Sequence, residues 1–333
     1  MSGTMTPREV VKRAIHFGSP PRVPLIYRSD PERSDMAHTG YAPARGWQAP
    51  SPTVDEWGCE WANIIGTGCG QIVRHPLATP DDLATYPFPD ALAPGRLDHL
   101  PGFVQSCEGK YLSASVGLSG FNHTMALRGF EELLTDLYVD RAFFEELADR
   151  VFAFENAIID GFAAHGLDGV WFFDDWGTET GVFVRPEQWR EVFKPRYADQ
   201  FARVRRHGMD VLLHSCGHVW DIIPDLIEIG VSVLNLEQPL VFSKDGVNGI
   251  DRLAEAFGGK VCFCTNVDSQ RTLISGTLAE IEAEAEHVVR ALGRPEGGLI
   301  VLADCGKDHH IASDERTGAM TRAFERCCGG RDE

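Results

Sequence analysis

The feature that most constrains this chain is an alternation. Short runs rich in Val, Ile, Leu and Phe recur along its length, separated by amphipathic segments of helical period. The runs RVPLIYR (22–28), KYLSASVGL (110–118), GVWFFDD (169–175), DVLLHSC (210–216), VSVLNLE (231–237), KVCFCTN (260–266) and GLIVLAD (298–304) read as strands. Segments such as RAFFEELADRVFAFENAIIDGFAAHG and TLAEIEAEAEHVVRALG read as the helices between them, several ending in Gly before the next strand. Strands alternating with helices specify βα units around a parallel sheet.

Seven strands are visible, and closing a (β/α)8 barrel requires one more, hidden in the sequence. The segment from Ser29 to Pro101, rich in Pro, Gly and Trp, reads as an irregular insertion with a β-hairpin that covers one mouth of the barrel. An open doubly wound sheet would place a Gly-rich phosphate loop after its first strand, and RVPLIYRSDPER has none. The expectation is therefore α/β, one TIM-barrel domain over residues 1–333, with residues 29–101 as the insertion.

Composition narrows the partners. A chain of 333 residues, 43% hydrophobic, suits one such barrel. A formal net charge of −18 argues against nucleic acid and against an anionic membrane surface. No run approaches the roughly 20 apolar residues of a membrane span, and MSGTMTPREVVKRA has no signal-peptide core, so a cytoplasmic protein is expected. Nine cysteines without a secretion signal point to thiols as ligands, reactive groups or small core residues rather than to disulfides.

The chemistry is concentrated where strands end. Five successive runs finish in polar or metal-capable groups: Asp174 and Asp175, His214 and Cys216, Glu237 and Gln238, Asn266 and Asp268, Asp304 and Cys305. In a TIM barrel these ends converge on one face, where active sites are built. Within VLLHSCGHVWD, His214 and Cys216 share a strand face with Cα atoms about 6.6 Å apart, a gap that zinc bonds of about 2.0–2.3 Å can bridge. Cys305, at another strand end and followed by Gly306, is the natural third ligand. A His/Cys/Cys set with one open position is a catalytic zinc arrangement. Cys262 and Cys264 lie inside an apolar run and read as core, while Cys59, Cys69, Cys107, Cys327 and Cys328 carry no expected chemistry. Asp174, Asp175 and Glu237 are the candidate catalytic carboxylates, and helix capping is the competing role for the first two.

The phrases DEWGCEW, VWFFDDWGTETGVFVRPEQWREVFKPRY, LLHSCGHVWDIIPDLIEIGVSVLNLEQP, NVDSQRTLISGT and GGLIVLADCG resemble the uroporphyrinogen decarboxylase superfamily over nearly the whole chain. His214, Cys216 and Cys305 resemble its zinc-binding branch, which passes methyl groups between corrinoids and thiols or methylated substrates. The resemblance implies a TIM barrel, Zn2+ as cofactor, and a corrinoid, free or on a protein, as co-substrate beside a small methyl donor or acceptor. Trp57 and Trp61 of the insertion, with Asn266 and Asp268, are then expected to hold the cofactor, Trp47 lying in the same wall. True decarboxylases of the superfamily carry an Arg-rich segment of the type RQAGR near the N-terminus, where this chain has YRSDPERSD. A metal-free decarboxylase, with Arg28 and Arg33 as its only cations near the first strand, and a purely structural zinc are the two other readings.

Overall fold

The computed structural model describes residues 5–63, 70–306 and 312–329. Eight strands, all paired in parallel, form the barrel: β1 (Leu25–Ile26), β2 (Met36–Gly40), β3 (Tyr111–Leu118), β4 (Gly169–Phe173), β5 (Asp210–His214), β6 (Val233–Asn235), β7 (Cys262–Thr265) and β8 (Leu299–Leu302). The ladder runs from β1 through β8, β7, β6, β5, β4 and β3 to β2. The seam between β1 and β2 is tied by one residue. Asp35 donates its backbone N–H to the Leu25 carbonyl at 2.9 Å, while its carboxylate accepts the Leu25 N–H at 2.8 Å and both nitrogens of the Arg22 fork at 2.6 Å. The eight strands thereby form a nearly closed TIM barrel.

All seven runs read as strands contain a barrel strand, each shorter than the run. The hidden eighth is Met36–Gly40, which lies inside the segment read as insertion. Its sequence, MAHTG, has no apolar run because its inward-facing His38 borders a cavity instead of the core. The hairpin is present farther along, as Glu60–Ala62 paired antiparallel with Gln71–Arg74; Cys69 falls outside the described residues. This part of the chain stands at the barrel rim beside the C-terminal end of β3, where Tyr41, Trp57, Trp61 and Leu118 line a cavity of about 310 Å³.

The barrel interior is filled by alternate residues of the strands, among them Tyr111, Trp171, Leu212, Val233, Cys262, Cys264 and Ile300. Its lower end is plugged by the helix Pro7–Ile15, whose Val11, Ala14 and Ile15 join the same cluster. Thr6 and Glu9 close a capping box at the start of that helix, satisfying backbone N–H groups that would otherwise lack partners. The flanking helices bury their apolar faces against the outside of the barrel in a second, larger cluster. Among the described residues no helix is long and apolar enough to cross a membrane.

Candidate functional site

His214 is the last residue of β5, and its ring is fixed from below. Asn235 on β6 donates its amide Nδ2 to the Cys264 carbonyl at 2.9 Å, so its Oδ1 is the atom left to face His214 Nδ1 at 2.8 Å. Nδ1 must then carry the proton, which leaves the Nε2 lone pair directed outward when the ring is neutral. Nε2 lies 3.3 Å from Cys216 Sγ, a separation suited to two ligands of one ion. Burial disfavours a charge on His214, but the Cys216 hydrogen bond and the nearby Cys216, Glu237 and Asp175 groups raise its pKa to about 9. The surroundings of the ring thus favour positive charge on it.

Cys216 stands just past the strand, and three contacts hold it. Its backbone N–H donates to Asp175 Oδ1 at 2.7 Å, its Sγ accepts from Gln238 Nε2 at 3.3 Å, and Gln238 Oε1 accepts the Gly217 N–H at 2.9 Å. The loops after β4 and β5 meet at Gly177 and Gly217. Gly217 has φ +78°, and a Cβ there would overlap the Gly177 carbonyl, so only glycine permits this approach. The approach carries Asp175 to Cys216 and sets its Oδ1 3.5 Å from His214 Nε2. Asp175, His214 and Cys216 each offer a ligand atom, all within 4.8 Å of one another. A histidine with its second nitrogen already bound, a thiol and a carboxylate together make a donor set that fits zinc.

The other expected site residues are distributed as follows. Glu237 Oε1 is 3.9 Å from His214 Nδ1 and binds Arg28 through both oxygens, at 2.6 and 3.2 Å. Cys305, past the end of β8, is buried and stands outside the 4.8 Å group. Burial and the neighbouring Glu237 charge push its thiol up to about 11 against the pull of Arg28. Asp174 is fully buried and serves the helix Gly120–Arg128: it accepts the N–H groups of Asn122 at 2.8 Å and Phe121 at 3.3 Å, the Trp176 indole N–H, and the Tyr197 hydroxyl. Burial holds its pKa well above the usual carboxylate range. Asp268 accepts three backbone N–H groups, from Leu240, Gln270 and Arg271, and so caps its own turn. Asn266 is completely buried, and neither atom of its amide has a hydrogen-bond partner among the described residues. Trp57 packs edge-on against Phe88, His123 and Phe154 and bonds Tyr41, while Trp61 donates to Asp55 at 2.7 Å. Both are anchored in the rim and border its cavity.

Three contributors escaped the sequence reading. Asn235 sits in the apolar run VSVLNLE, and a lone amide in a buried strand was the available signal. Asn122 clasps the backbone N–H and carbonyl of Asp175 at 3.0 and 3.3 Å with its amide turned to suit both. His38 carried no signal, because its strand was itself hidden.

The comparisons agree with this architecture. Residues 57–315 match the family described as uroporphyrinogen decarboxylase (URO-D). The chain is 27% identical over 160 residues to the methylcobamide:CoM methyltransferase MtaA of Methanosarcina barkeri, an alignment covering 48% of this chain and 41% of that protein. The match thus spans about two fifths of the length of that relative. A methyltransferase from Methanosarcina mazei superposes with a TM-score of 0.72 at 16% identity, over 97% of this chain and 99% of the other, and so shares the fold. The matched span, together with a barrel whose strand ends gather His214, Cys216 and Asp175, makes this chain a member of the uroporphyrinogen decarboxylase family.

Proposed function

We propose that the protein is a zinc-dependent methyltransferase that moves a methyl group between a corrinoid and a small thiol or methoxylated substrate. The observation that carries this reading is the pairing of His214 Nε2 with Cys216 Sγ at 3.3 Å at the barrel mouth, with the ring tautomer set by Asn235. The partial likeness to a methylcobamide:CoM methyltransferase points the same way. His214 and Cys216 supply two ligands. The third is Cys305, as the family pattern implies, or Asp175, which lies nearer; zinc content in Cys305→Ser and Asp175→Asn separates them. Bound there, zinc supplies Lewis acidity to a substrate sulfur or oxygen.

The chain's own residues do the rest. Asn235 holds the imidazole, Gln238 donates to the Cys216 sulfur and tempers its charge, and Asp175 fixes the Cys216 backbone. Tetrapyrrole decarboxylation is disfavoured because the cations it would use are engaged: Arg28 is bound to Glu237, and Arg33 lies on the Tyr27 ring and pairs with Glu325. The test is spectroscopic. Mixed with methylcobalamin and small thiols, the protein is expected to generate the cob(I)alamin spectrum, or to consume cob(I)alamin in the presence of methoxylated compounds. No spectral change in either direction contradicts the reading.

A further inference from the structure

A cavity of about 360 Å³ lies inside the barrel mouth, walled by Ile26, Met36, Phe103, Trp171, Phe173 and Leu302. Trp171 and Phe173 alternate on β4 with their rings stacked at 5.9 Å and 7° between planes. The cavity borders the His214 cluster directly. Asn235 and Phe173 line it, and both also contact His214, the first by its hydrogen bond and the second with ring centroids 5.9 Å apart.

Tyr27, Ser34, His38, Ser113 and Asn235 add uncharged polar groups to its lining. Arg28 is the one charged side chain among the described lining residues, and its guanidinium is bound at both ends by Glu237. His38 bonds Ser113 Oγ at 3.2 Å, and the surrounding protein and the Arg28 charge press its pKa down to about 4, so it is neutral at physiological pH. An anionic group placed here would lose its water with no uncompensated cation among the described lining residues to replace it. An apolar ring would instead find aromatic faces to cover it. Size agrees: a dry cavity of about 150 Å³ admits benzene, so this one has room for a substituted ring, whereas a corrinoid must stay outside it.

We propose that this chamber binds an uncharged aromatic substrate, a single ring bearing the oxygen or sulfur that exchanges the methyl group. The identity of that atom rests on the methyltransferase reading; the apolar chamber does not. With an aryl methyl ether, the oxygen–methyl bond breaks and its electron pair leaves with oxygen. The cobalt(I) pair of the corrinoid forms the carbon–cobalt bond, and the phenolate takes a proton from solvent. With an arylmethyl thiol, the thiol proton goes to solvent, the sulfur pair forms the carbon–sulfur bond, and cobalt leaves as cobalt(I) with the pair of the broken bond.

Calorimetric titration of the zinc-loaded protein with anisole, phenylmethanethiol and 2-mercaptoethanesulfonate tests the assignment without requiring turnover. Anisole or phenylmethanethiol is expected to bind at least ~10-fold more tightly than the sulfonated thiol. Phe103→Ala, on the helix Leu100–Ser106, should weaken the aromatic ligand by roughly 10-fold. Phe103→Arg should narrow or reverse the preference by adding a cation, with thermal melting used to verify that both variants are folded. Tighter binding of 2-mercaptoethanesulfonate by the wild type, or affinities unmoved in a folded Phe103→Ala, overturns the proposal. Aromatic binding without methyl exchange supports the chamber while contradicting the methyltransferase reading, and methyl transfer confined to the sulfonated thiol does the opposite. Conversion of anisole with cob(I)alamin, against phenylmethanethiol with methylcobalamin, identifies the heteroatom.

Discussion

His214 Nδ1 and Asn235 Oδ1 lie 2.8 Å apart, and the far side of the same amide donates to the Cys264 carbonyl on the next strand. Three adjacent strands thus determine which imidazole nitrogen faces Cys216. Removing that bond in Asn235→Leu is expected to weaken zinc binding by about 10–100-fold, the usual effect of losing the partner that orients a ligand histidine. Chelator competition measures it. Unchanged zinc affinity would mean that the ring is held by packing alone.

The close approach of the loops after β4 and β5 gives a second prediction. Gly217→Ala forces a side chain onto a backbone of φ +78° and into the Gly177 carbonyl. A loss of roughly 1–3 kcal/mol in denaturant unfolding is expected, with an unaltered slope against denaturant. The same change should displace Cys216 from Asp175 and lower zinc content. A variant as stable as the wild type would contradict the rigid junction.

Asp174 and Asp175 are adjacent but should behave differently. Asp174→Asn is expected to destabilise the fold by about 1–3 kcal/mol, since the buried carboxyl ties Phe121, Asn122, Trp176 and Tyr197 together. Asp175→Asn, half-exposed at the cluster, should leave thermal stability nearly unchanged and lower turnover. Equal turnover in Asp175→Asn and wild type would reduce Asp175 to support of the Cys216 backbone.

At the lower end of the barrel, Asp168 is buried and receives Arg8, Lys12 and the Leu112 N–H. Burial alone would raise its pKa, but the hydrogen bonds from Arg8, Lys12 and Leu112 outweigh it and the net shift is downward. A carboxylate with a depressed folded-state pKa contributes stability above its unfolded value of about 3.9, and that contribution is lost as pH falls through the folded value. His16 has the opposite sign: its hydrogen bond to Asp210 outweighs burial and raises its pKa, so its contribution is present in acid and fades as pH rises. Asp168→Asn should therefore flatten the acid limb of stability against pH and cost roughly 1–3 kcal/mol at neutral pH, with Arg8 half-exposed and screened by solvent. An acid limb identical to that of the wild type would contradict the assignment.

How much of this was legible follows from which interactions leave a one-dimensional trace. The apolar runs of β3 to β8 announce themselves because both faces of a barrel strand are covered, and the polar residues after them mark the mouth. β2 left no such trace, since His38 faces a cavity, and the helix Pro7–Ile15 was not read as the barrel's plug because only its contacts reveal that role. At the site, the spacing of His214 and Cys216 was enough to pair them. The entry of Asp175 depends on two glycines, Gly177 and Gly217, in loops far apart in sequence whose contact no local pattern encodes.

The central claim is that His214 and Cys216 form the heart of a zinc site, and elemental analysis of protein purified without chelators tests it most directly. The wild type should carry about one zinc per chain, and Cys216→Ser should lose most of it while keeping the melting behaviour of a folded barrel, whose core is independent of the metal. Wild-type protein without zinc, or a Cys216→Ser variant that retains it in full, would contradict the account.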